Sequence, residues 1–120
     1  GNTYLDIESI IYWFLGSKFY FKQDYNKALT YLKIIDKEKY NLDGVLFYLI
    51  ANCYCFISNF NEAKNYFEKA IEYRPDFPEA HNNYSTLLLN EFNDVKGSEK
   101  HFLAAHGINP DELDISFLYF

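Results

Sequence analysis

The chain has 120 residues, the size of one domain, and its 49% hydrophobic and 21% aromatic content excludes a disordered chain. A net charge of −6, with 11 basic against 17 acidic side chains, excludes the basic stripe of a nucleic-acid binder. No apolar run approaches the roughly 20 residues that span a bilayer, because Gly16, Ser17 and Lys18 interrupt the one that begins at Ile10. The charge is uneven: residues 1–43 hold six basic and six acidic side chains, residues 44–77 three and four, and residues 78–120 two and seven. The acidic end suits either a solvated surface or a basic partner segment.

In chain order, apolar residues three and four apart predict helices over 6–21, 25–37, 43–57, 60–73, 77–91 and 95–107. Asp24, Asn59 and Asp94 each stand just before a second helix of a pair, where their side chains can accept from free first-turn N–H groups. Pro75 and Pro110 mark where the fourth and sixth helices have ended. Beyond Pro110 the register of Asp76 to Ser85 returns, with Tyr119 at the place of Tyr84, which predicts the start of a further first helix over 113–120. The chain therefore reads as a piece of a longer repeat protein, with Gly1 as a cloning remnant.

The pairs repeat. Asp24-Tyr25-Asn26-Lys27-Ala28 returns 35 positions later as Asn59-Phe60-Asn61-Glu62-Ala63 and again, more weakly, as Asp94-Val95-Lys96-Gly97-Ser98. Upstream, Tyr12-x-x-Leu15-Gly16-x-x-Phe19 matches Phe47-x-x-Ile50-Ala51-x-x-Tyr54 and His81-x-x-Tyr84-Ser85-x-x-Leu88. Downstream, Ala28-x3-Leu32-x2-Ile35 matches Ala63-x3-Phe67-x2-Ala70 and Ser98-x3-Phe102-x2-Ala105. Small residues at fixed places let two helices approach closely while large neighbours interlock. Residues beyond a 34-residue unit fall in loops, between Asp36 and Asp43 and between Asn90 and Asp94.

This pattern (large, x2, large, small, x2, aromatic, then Ala-x3-Phe, then Pro) resembles the tetratricopeptide repeat family. The resemblance covers about residues 9 to 112 and is best over 44–77. It implies an all-α fold: antiparallel helix pairs stacked as a right-handed superhelical solenoid in a single domain over 1–120. The repeats fall at 9–43, 44–77 and 78–112.

Residue chemistry points away from catalysis. Cys53 and Cys55 are two apart on a predicted helix, so they face apart and read as buried or semi-buried thiols of a reducing compartment. His81 sits at a packing position, and His101 and His106 are five apart, so no zinc pattern results. The five glycines are scattered, which gives no phosphate loop, and no Ser–His–acid grouping emerges. No catalytic residue, metal or cofactor is expected.

The resemblance implies that first helices line an inner, concave face. Its positions are Trp13, Ser17 and Tyr20, then Tyr48, Asn52 and Cys55, then Asn82, Thr86 and Leu89, with Asn83 at an asparagine-ladder position. Aromatic rings make good anchors and amides pair with peptide backbone, which suits a groove for a partner peptide. The same rings also suit a packed core or a contact with a further N-terminal repeat. The family's carboxylate clamp for chaperone tails is argued against: its positions hold Trp13, Ser17, Leu49, Glu79 and Asn83, with no basic residue. The ladder of repeat-bearing glycosyltransferases is matched by Asn83 but not by Phe14 or Leu49.

The expected function is an intracellular protein–protein interaction scaffold, cytoplasmic with the nucleus as the alternative, binding a partner peptide or subunit without nucleic acid or membrane. Two other readings stand beside it. One is a non-catalytic targeting arm of a larger enzyme. The other is a self-association module using the apolar Ile115, Phe117, Leu118, Tyr119 and Phe120.

Overall fold

The computed structural model describes residues 6–37 and 39–109. Among them are six helices and no strand: α1 (Ile7–Phe21), α2 (Tyr25–Leu32), α3 (Val45–Phe56), α4 (Phe60–Tyr73), α5 (Pro78–Phe92) and α6 (Val95–Ala105). The all-α class and the pairing of neighbouring helices are as the repeat pattern requires: α1 packs on α2, α3 on α4 and α5 on α6. The chain divides after Pro75 into two compact units, one with the first two hairpins and one with the third. The expected helix and self-association segment over 113–120 lie outside the described residues.

In the first unit α2 also packs against α3, which joins the two hairpins. The core holds Ala28, Leu32, Leu46, Ile50, Ala51, Ala63, Phe67 and Ala70, all fully buried. Gly16 explains how closely α1 approaches α2. A Cβ there would lie 2.5 Å from Leu32 Cδ2 and 3.5 Å from the Ala28 carbonyl oxygen. In the second unit Ser85 and Ser98 occupy the matching small-residue positions. Their contact is polar: Ser85 Oγ donates to the Ser98 carbonyl at 2.6 Å and lies 2.9 Å from Ser98 Oγ. A buried hydroxyl pair is tolerated because its hydrogen bonds are made.

Each hairpin turn has one form. The residue before the cap is left-handed: Gln23 (φ 65), Ser58 (φ 63) and Asn93 (φ 52). The N–H of the next residue then returns to α1, α3 or α5, from Asp24 to Phe19 O, Asn59 to Tyr54 O and Asp94 to Leu88 O. The last reaches one residue further back, which is where the extra residue of the third repeat is absorbed. Asp24 and Asp94 cap as expected, accepting from Lys27 N at 3.3 Å and Gly97 N at 2.9 Å. Asn59 holds the cap position without a side-chain bond.

One helix is shorter than its pattern predicts. The spacing carries α2 to residue 37, yet it ends at Leu32 with Lys33 as C-cap. The Lys37 ammonium turns back and donates to the carbonyls of Lys33 at 2.8 Å and Ile35 at 3.2 Å. Both carbonyls lie just beyond the last helical residue, where no following turn supplies donors, so one lysine ties the helix end to the loop. The loop ends in three successive left-handed residues, Leu42 (φ 51), Asp43 (φ 57) and Gly44 (φ 87). Gly44 has no room for a side chain: a Cβ at residue 44 would meet the Ala70 carbonyl oxygen at 2.8 Å.

A ring pair recurs at one register position in all three hairpins. Tyr12 faces Tyr31 with centroids 6.4 Å apart, Phe47 faces Tyr66 at 6.2 Å, and His81 faces His101 at 5.1 Å. Two turns on from the first member, Phe19 and Tyr54 also stack on Tyr31 and Tyr66, at 5.8 and 5.6 Å. Much of the aromatic content therefore joins first helices to second helices.

Candidate functional site

Residues 13, 17 and 20 fall on one stripe of α1, because spacings of four and three return to the same face. In the first unit the expected face is partly assembled. Asn52 Nδ2 on α3 donates to the Tyr20 hydroxyl on α1 at 3.2 Å. Tyr20 is half-buried, and burial raises its hydroxyl pKa above the ordinary value, partly opposed by the Asn52 bond. Its ring meets Tyr25 edge-on at 5.8 Å, and Tyr25 stacks flat on Phe56 at 4.1 Å. Tyr48 is half-buried and tilts against the core residue Phe67 at 6.4 Å. Asn52 itself is only 6% exposed, so its amide bridges two first helices more than it meets solvent. Ser17 and Cys55 are half-buried.

Trp13 lies in a different setting. It shares the wall of an apolar cavity of about 360 Å³ with Ser9 and Ile10 of α1 and with Ile35, Tyr40 and Leu42 from the segment after α2. The loop insertion therefore builds a pocket at one end of the face. Nothing in the sequence spacing pointed to Tyr40 and Leu42, which reach the Trp13 cavity by way of the left-handed loop.

In the second unit the expected positions all lie on α5. Asn82, Thr86 and Leu89 are exposed, and Asn83 is half-buried. Thr86 Oγ1 donates to the Asn82 carbonyl at 3.2 Å, a bond within the helix. Elsewhere in this unit, His81 Nδ1 and His101 Nδ1 lie 2.9 Å apart, with the Tyr84 ring 4.6 Å from that of His101. His81 is thus a hydrogen-bonded packing residue, as expected, but its partner was not foreseen. The signal was present: His81 is Phe47 moved one repeat on, and His101 is Tyr66 moved likewise.

The two cysteines differ as their spacing requires. Cys53 is fully buried, and burial pushes its thiol up to about 12, while Cys55 is half-buried. Among the described residues no group of three His, Cys, Asp or Glu side chains is arranged to hold a metal ion. No described helix is long and apolar enough to cross a membrane.

Helix pairs of one pattern, with small residues at the crossing and a ring pair across each hairpin, define a helical-hairpin repeat protein. Residues 45–77 match the tetratricopeptide repeat family model, and the chain carries a tetratricopeptide repeat over that span. No curated protein matches the chain.

Proposed function

We propose that this chain is a protein-interaction module that binds a segment of a partner protein along the first helices of its repeats. The Trp13 pocket and the Tyr20–Tyr48 region form its best-developed part. The observation that carries this reading is the apolar pocket shared by Trp13 and Leu42. Leu42 is held there in a left-handed conformation, which costs a non-glycine residue about 1–2 kcal/mol. Backbone strain of this kind collects at binding sites. An apolar concavity of that volume accepts one large hydrophobic side chain of a bound segment. The half-buried Tyr48 and the Tyr20 hydroxyl supply the amphipathic contact beside it. In the second unit, Asn82, Asn83, Thr86 and Leu89 of α5 offer amide, hydroxyl and apolar contacts of the same kind. A single repeat domain over 1–120 and an intracellular location belong to the same proposal.

The test uses the chain's only tryptophan. Peptides selected from a random display library are titrated against the chain while Trp13 emission is followed. The expected result is a saturable spectral shift, lost in Leu42→Asp, with Tyr48→Ala weakening affinity by about 1–3 kcal/mol at unchanged circular dichroism. Selected peptides that bind without moving Trp13 emission, and equally well to both variants, would overturn the site.

A further inference from the structure

We propose that the outer face of α1 is a docking surface for α6 of a second copy of this chain, so that copies associate head to tail. This goes beyond the peptide-binding reading and rests on a different set of residues, with Ile10 alone shared between the two. The argument starts from register. Ile11, Phe14 and Lys18 of α1 stand where α3 has Leu46, Leu49 and Cys53, and where α5 has Ala80, Asn83 and Leu87. Leu46, Cys53, Ala80 and Leu87 are buried, whereas Ile11 is 47% and Phe14 63% exposed. With Ile7 and Ile10, also exposed, they make a continuous apolar stripe.

The first unit shows what covers such a face. Its α3 packs against α2, the second helix of the preceding hairpin. The complementary open surface occurs on α6. Phe102 is 48% exposed although its counterparts Leu32 and Phe67 are fully buried, and Val95 beside it is exposed where Tyr25 and Phe60 are half-buried. Among the described residues α1 is thus a first helix without a second helix on its outer side, and α6 is a second helix whose Val95 and Phe102 stand exposed. Each presents the half that the α2–α3 interface joins. Charge agrees with this pairing. Lys18 replaces the buried Cys53 and Leu87, and Glu99 stands at the position of the buried Leu29. Opposite charges at these two positions steer and orient the two faces.

The contact is heterologous: a copy docked through its α1 keeps its α6 free. A helix-on-helix contact lies at the small end of interface sizes, so association depends on concentration, in a range of roughly tens to hundreds of micromolar.

Sedimentation equilibrium of the full chain across that range tests it, with circular dichroism to check each fold. Wild type is expected to form species beyond the dimer. Phe14→Glu blocks the head and Phe102→Glu blocks the tail. Both residues are exposed, and each variant alone is expected to be at least tenfold weaker in self-association. Mixed in equal amounts, the two leave one intact head and one intact tail, and are expected to give a dimer that grows no further. Lys18→Glu and Glu99→Lys are expected to weaken association singly and to restore it when combined in one chain. Wild type that stays monomeric, or Phe102→Glu that still dimerises through a symmetric α1 contact, would overturn the proposal.

Discussion

His81 and His101 meet at the register position that Phe47 and Tyr66 occupy one hairpin earlier, with their Nδ1 atoms 2.9 Å apart. A ring pair is a shared fixture of the hairpins, and its chemistry is interchangeable while its geometry is kept. Replacing the pair by His81→Phe with His101→Tyr should leave the melting temperature of the chain unchanged or higher. His101→Ala should cost about 1–2 kcal/mol, from lost ring contact and a lost hydrogen-bond partner of buried His81. Thermal unfolding followed by circular dichroism distinguishes the two.

The hairpin turns offer a stabilising change. Gln23 and Ser58 hold left-handed φ values that favour glycine. Gln23→Gly and Ser58→Gly should each raise stability by about 0.5–1 kcal/mol, because removing the Cβ relieves more strain than the added chain entropy costs. Urea midpoints would show this, and unchanged or lower midpoints would count against strain at these turns.

Two glycines should resist alanine. At Gly16 the new Cβ overlaps the fully buried Leu32, so the gain in helix propensity is outweighed by overpacking and a net loss of about 1–2 kcal/mol is expected. At Gly44 the left-handed backbone and the nearby Ala70 carbonyl act together. Gly44→Ala should cost about 2–3 kcal/mol and also disturb the Trp13 pocket. A larger loss at Gly44 than at Gly16 is the ordering to test.

Cys53 and Cys55 should separate by reactivity. In the folded chain Cys55 reacts with a disulfide reagent at mild alkaline pH and Cys53 does not, since the buried thiol is held protonated. The sign of the linkage follows. The folded thiol is raised from 9.0 to about 12, so the folded state keeps a proton that the unfolded chain loses. The resulting stability is intact below about pH 9 and falls as pH rises toward about 12. The difference in unfolding free energy between wild type and Cys53→Ala should therefore change over that window and be flat below it.

The Tyr20–Asn52 bond joins two first helices across 32 residues of sequence. A double-mutant cycle with Tyr20→Phe and Asn52→Ala should return a coupling of about 0.5–1.5 kcal/mol. A coupling near zero would mean that the amide serves solvent or a ligand instead.

Much of this was legible in the sequence because the repeat reports itself three times. Five of the six helices lie within two residues of their spacing, and the small residues at 16, 28, 51, 63, 85 and 98 mark the helix crossings. Three things were hidden. The end of α2 was masked by Ile34 and Ile35, which continue the apolar period while the Lys37 side chain stops the helix. The hairpin turns carry left-handed Gln23, Ser58 and Asn93, so no glycine announced them. The depth of Asn52 was also out of reach, because spacing fixes the side of a helix a residue faces and not how far a neighbour covers it.

The Lys37 ammonium, bonded to the carbonyls of residues 33 and 35, has a consequence for chemical modification of the chain. Partial burial lowers its pKa, which favours the neutral amine that acyl donors attack. Acylation would leave one N–H where three stood. The released carbonyls and the segment carrying Ile35, Tyr40 and Leu42 would then lose their shared anchor, and a single small chemical mark could unmake the cavity beside Trp13 from behind.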